Sequence, residues 1–74
     1  MDRYGNRGGD SGVVAYELGD GAIAVRFADG GVYLYTVASA GASNIRKMHQ
    51  LAVAGYGLNT FISQNVKDRY AKKL

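Results

Sequence analysis

His49 is the one side chain whose type suits proton transfer near neutral pH, and the hydroxyls and amides that could serve it are Ser39, Ser43, Asn44 and Asn59. Nucleophilic catalysis needs a hydroxyl activated by a base that a third group holds in place. No second histidine, activated-nucleophile motif or carboxylate pair completes such a set. His49 follows Ile45 by four residues, at the edge of an apolar helical face, which is where a boundary histidine falls. The expectation is a chain that is not an enzyme. With no cysteine and one histidine, neither a thiolate nor an imidazole cluster is on offer for a metal. Nothing in the sequence implies a cofactor, and Gly55 to Gly57 lacks the length and the following Lys-Ser/Thr of a phosphate loop.

Binding chemistry is better represented. Arg46 and Lys47 fall in one helical stretch, and Lys67, Arg69, Lys72 and Lys73 cluster near the carboxy terminus, with Tyr56 and Tyr70 close to them. Clustered cations suit a nucleic-acid backbone, and aromatic faces suit unstacked bases. The charge is unevenly spread. Residues 1–37 carry Arg3, Arg7 and Arg26 against Asp2, Asp10, Glu17, Asp20 and Asp29, a net −2, whereas residues 38–74 carry those six cations against Asp68, a net +5. A polyanion would meet the second half first. The same cations would also suit the negative end of a helix dipole, so they have a structural reading as well.

The elements that must position these residues follow from periodicity. Residues 1–12 are Gly-rich and polar, and the expectation is a flexible tail ahead of a single domain over residues 13–74. From Val13 the pattern has period two. Strands are expected at 13–18, 22–27 and 32–37, joined as an antiparallel meander because short turns make sequential strands neighbours. An Asp20-Gly21 turn would pair Leu18 with Ile23, Tyr16 with Val25 and Val14 with Phe27, all facing the core. The second turn admits two registers. A two-residue Asp29-Gly30 turn would put Tyr33 and Tyr35 on the outer face. A three-residue loop closed by Gly30 would pair Val25 with Tyr33 and Ile23 with Tyr35, facing the core with Val37, and the glycines fit this loop better.

Helices are expected at 42–54, with Ile45, Met48, Leu51 and Ala52 on one face, and at 58–72, with the stripe Leu58, Phe61, Ile62, Val66 and Tyr70. The fold class is therefore α+β: a three-stranded antiparallel meander followed by two helices packed on one face. Ser39 or Ser43 is a candidate helix cap, and Asn59 a candidate to bond the backbone of the glycine junction.

In this arrangement the uncovered sheet face carries Val13, Ala15, Ala24, Val32 and Leu34, which is apolar for a surface left to water. At 74 residues a single core only just offsets chain entropy, so a homodimer or a protein partner on that face would enlarge it. The leading expectation is a small non-catalytic module for protein interaction or self-association. The alternative is an accessory domain that binds single-stranded RNA or tRNA through Arg46, Lys47, Tyr56, Lys67, Arg69, Lys72 and Lys73. No apolar run approaches the length of a membrane span and no signal-peptide core follows Met1, so the expected location is the cytoplasm, away from any membrane.

The strand Ile23-Ala24-Val25-Arg26-Phe27, the pair Tyr33-x-Tyr35 and the junction Gly57-x-Asn59-x-x-Ile62, in that order, resemble the KTSC domain over roughly residues 12–70. That short domain is found at the carboxy terminus of some lysyl-tRNA synthetases and as free-standing small bacterial and phage proteins. The chain departs from the family's pattern at Ala38, where a proline is usual, at Val53, where a serine is usual, and at Leu34, where a polar residue is common. The resemblance implies the same α+β fold, with Tyr33, Tyr35, Gly57, Asn59 and Ile62 mainly structural. It implies no reaction, and its synthetase context suggests RNA.

Overall fold

The computed structural model describes residues 1–7 and 12–74. Three strands form the expected meander: β2 (Val13–Gly19), β3 (Ala22–Phe27) and β4 (Val32–Thr36). The β2–β3 turn is the two-residue Asp20-Gly21 turn, with Gly19 paired to Ala22 and Leu18 to Ile23. The β3–β4 loop takes the longer register. Val25 pairs with Tyr33 and Ile23 with Tyr35, the Phe27 N–H bonds the Gly31 carbonyl at 2.8 Å, and Gly30 supplies the positive φ of 93° that closes the loop.

The start of β2 departs from the simple alternation. Val13, not Val14, pairs with Phe27, and the register shifts between Val13 and Ala15, so Val14 is the extra residue of a β-bulge. Val13 consequently turns into the core, where it is fully buried, and Val14 is exposed. Val13 is thus removed from the uncovered face on which the sequence pattern put it. Leu18, also expected in the core, lies at the turn end of the hairpin and is 40% exposed.

Among the described residues the sheet has five strands, not three. At one edge β1 (Asp2–Arg3) pairs antiparallel with β2, Asp2 opposite Tyr16 and Arg3 opposite Ala15. The expected flexible tail over 1–12 is corrected for its first seven residues; its remainder up to Ser11 lies outside the described residues. Tyr4 is 3% exposed, its N–H bonds the Val14 carbonyl at 3.0 Å, and the Arg7 N–H bonds the Gly55 carbonyl at 2.8 Å. The approach is close because both chains are glycine there. A Cβ on Gly55 would stand 3.0 Å from the Gly5 Cα, and Gly55 has φ 73°.

A short helical turn, α1 (Val37–Ala40), follows β4 directly. Thr36 caps it, its hydroxyl accepting from the Ser39 N–H while the Ser39 hydroxyl accepts from the Thr36 N–H. Val37, expected as an inward strand residue, is instead the first residue of this turn and is exposed. The main helix, α2 (Ala42–Ala54), has the expected bounds and ends at Gly55 in the left-handed conformation. Ile45, Met48 and Ala52 meet Ile23, Val25 and Tyr35 of the sheet in one core.

The expected second helix is cut short. α3 (Leu58–Phe61) passes into a π-helical turn, Ile62–Val66, and Lys67 at φ 32° breaks the spiral. The chain then doubles back, and β5 (Lys72–Lys73) pairs with β4, Lys73 opposite Tyr33 and Lys72 opposite Leu34. The Ala71 and Leu74 N–H groups bond the Leu34 and Val32 carbonyls, both at 2.7 Å. Helical continuation would have solvated a charged helix end and left the β4 edge unpaired. Reversal pairs that edge and brings Tyr70 onto Tyr33.

Candidate functional site: two clefts that share Asn59

The inner face of β4 carries the tyrosines on which the site is built. Alternation along the strand sends Tyr33 and Tyr35 inward. Tyr35 is 1% exposed and donates its hydroxyl to the Lys67 carbonyl at 3.3 Å. Burial, reinforced by the neighbouring Tyr33, Tyr70 and Asp68, pushes its phenol up to about 12. Tyr33 sits nearer the surface. Its ring centroid is 4.8 Å from that of Tyr70 and 5.6 Å from that of Phe27, and the Lys73 ammonium stands 5.5 Å from it. Tyr70 also meets Tyr35 edge-on at 6.3 Å.

These rings wall a cleft of about 190 Å³ whose other side is the π turn, with Asn59, Ile62, Ser63 and Lys67. Four of the five residues that carry the KTSC resemblance, Tyr33, Tyr35, Asn59 and Ile62, therefore line one cleft. The fifth, Gly57, belongs to the adjoining cavity. That cavity, about 460 Å³, lies between the N-terminal segment (Tyr4, Asn6), the α2–α3 junction (Tyr56, Gly57) and the outer side of α3 and the π turn (Phe61, Gln64, Asn65).

Asn59 lines both. It was expected to bond the glycine junction. Instead its half-buried side chain has no hydrogen bond among the described residues, and its carboxamide lies beside Gly12, where a Cβ would stand 3.5 Å from its Oδ1.

The candidate cations separate into groups. Lys67 lines the tyrosine cleft and Lys73 stands over Tyr33. Arg69 is exposed in the turn between them, and Lys72, one residue along β5, shares the opposite sheet face with Leu34. Arg46 and Lys47 are exposed on α2 and line neither cleft. Tyr56, 64% exposed, belongs to the larger cavity. The helix-dipole explanation of the carboxy-terminal cations fails, because Arg69, Lys72 and Lys73 lie beyond the last helical turn. The sole ion pair among the described residues joins the Met1 amine to Glu17 at 3.9 Å, so none of these cations is neutralised by a carboxylate.

His49 sits at the helix edge its spacing indicated: its Nε2 lies 2.7 Å from the Ala22 carbonyl, which can only accept, so Nε2 donates its proton to the sheet. Among the described residues no group of three His, Asp or Glu side chains is gathered to hold a metal, and no helix is long and apolar enough to cross a membrane. On the uncovered sheet face Ala15, Ala24, Val32 and Leu34 remain, all half-buried, while the helices cover the opposite face.

Sequence reasoning missed Tyr4, Asn6, Gln64 and Asn65. Their contribution depends on the N-terminal strand and on the π turn, neither of which has a periodic signal. The chain matches no family model, no curated protein and no solved structure.

Proposed function

We propose that this protein is a non-catalytic module that binds single-stranded RNA on the face formed by the tyrosine cleft and the doubled-back carboxy-terminal segment. One observation carries the reading. Lys67 and Lys73, free of carboxylate partners, flank the part-exposed rings of Tyr33 and Tyr70, so that charge for phosphates and aromatic surface for bases occur together. The strained backbone at Lys67 supports it too. A non-glycine residue at φ 32° costs about 1–3 kcal/mol, and here the strain aims a lysine at the cleft rim.

The test is charge reversal. Lys67→Glu with Lys73→Glu should weaken binding of an eight-nucleotide single-stranded RNA at least about tenfold at low salt, by removing two phosphate contacts, with little change in thermal midpoint because both side chains are exposed. Unchanged binding would sink the reading.

Self-association is the second reading, and the uncovered apolar face of Ala15, Ala24, Val32 and Leu34 favours it. The magnitude counts against a stable dimer through that face alone. Strands ~4.8 Å apart with a ~3.3 Å rise give the three long strands and their short edges about 300 Å². A stable interface takes about 800 Å² per partner. The two-residue edge strands, each carrying charge, are also poor templates for adding another chain's strand.

A further inference from the structure

The larger cavity has a chemistry of its own, and the inference drawn from it rests on the RNA reading above. Its volume, about 460 Å³, is within the range of small-ligand sites, and among the described residues no lining side chain is charged. Among the described residues a phosphate or carboxylate would find no counter-charge there. The walls include one exposed aromatic ring, Tyr56, an apolar floor of Leu51 and Phe61, and the carboxamides of Asn59 and Gln64 beside Asn6, Thr60 and Asn65.

A carboxamide presents a donor and an acceptor side by side, which is the pattern on the edge of a nucleobase, and a tyrosine ring suits the face of one. Through Asn59 the cavity adjoins the cleft of Lys67 and Tyr70. A strand whose phosphates lie against Lys67 could therefore turn a neighbouring base across Asn59. We propose that this cavity receives one unpaired base of the bound RNA, stacked on Tyr56 and read at its edge by Asn59 and Gln64. The backbone stays outside, on the cations.

The experiment compares an eight-nucleotide RNA with the same oligomer made abasic, by fluorescence anisotropy at low salt, on the whole chain. Loss of the bases, the one in the cavity included, should weaken binding by at least about 5- to 150-fold, the contribution of one stacked base. Tyr56→Ala and, independently, Gln64→Ala should weaken the normal oligomer and leave the abasic one unaffected, since both residues are exposed and their loss should not disturb the fold. Equal binding of the two oligomers by the wild type would overturn the base cavity and leave backbone binding standing. A base-dependent difference that neither substitution reduces would place the base elsewhere and overturn it as well. No binding of either oligomer would remove the RNA reading and this inference together.

Discussion

Tyr4→Phe removes a single oxygen, and the structure assigns that oxygen a definite task. Leu58 is the first residue of α3, its helix has Gly57 at the cap position, and glycine has no side chain with which to take the free backbone N–H. The Tyr4 hydroxyl takes it, at 3.1 Å, from 54 residues away in the sequence. Leu58 has no exposed surface, so water does not replace the lost acceptor. Leaving a buried donor unpaired costs about 1–3 kcal/mol. Against a total of roughly 4–11 kcal/mol for a chain of this length, and at about 4–8 °C per kcal/mol, the thermal midpoint should fall on the order of 10 °C. Tyr4→Ala removes the buried ring as well and should cost about 3–5 kcal/mol, enough to unfold much of the population. Circular dichroism melts of the wild type and both variants measure this. If Tyr4→Phe melts within a degree of the wild type, the hydroxyl is not capping α3, and the docking of residues 1–7 is wrong.

The remaining predictions concern pH and assembly. Tyr35 ionises at about 12 in the folded protein, above its ordinary value of 10.0, so the stabilisation from keeping it neutral is fully present below pH 10 and is lost as pH rises toward 12. An ultraviolet titration should show one late tyrosine that Tyr35→Phe abolishes; a titration unaffected by that substitution would contradict the buried placement. On the second functional reading, sedimentation should show a dimer that Leu34→Lys converts to a folded monomer. A wild-type chain monomeric at high concentration removes self-association through that face.

Where local pattern and tertiary demand agree, the sequence was a good guide. Gly30 and Gly31 distinguished the two hairpin registers because only the longer loop needs positive φ at its third position, and the outcome placed Tyr33 and Tyr35 inward. The bounds of α2 were equally legible, since Gly55 ends an unbroken apolar stripe. The bulge at Val14 was not, because it breaks the alternation on which the reading relied, and one slipped residue exchanged Val13 for Val14 in the core. Nor was the reversal after Val66. Leu58, Phe61, Ile62, Val66 and Tyr70 fit a helix period to the end, but the unpaired edge of β4 and the ring of Tyr33 compete for the last residues, and no local propensity reports such a long-range gain. The same limit hid Tyr4, in a strand of two residues. Half the candidate site was therefore visible as the pair Tyr33 and Tyr35 with carboxy-terminal cations. The other half, the convergence on Asn59, depends on how the two chain ends return to the edges of the sheet.

The salt dependence of RNA binding tests the central claim most directly. If Lys67, Arg69 and Lys73 each neutralise one phosphate of a single strand, the logarithm of affinity should fall against the logarithm of salt with a slope of about −2, a loss of roughly 20-fold between 50 and 200 mM. The Lys67→Glu, Lys73→Glu variant should flatten that slope to about −0.7, the value for one remaining contact. Binding that is absent at 50 mM, or that does not change with salt, would contradict the account.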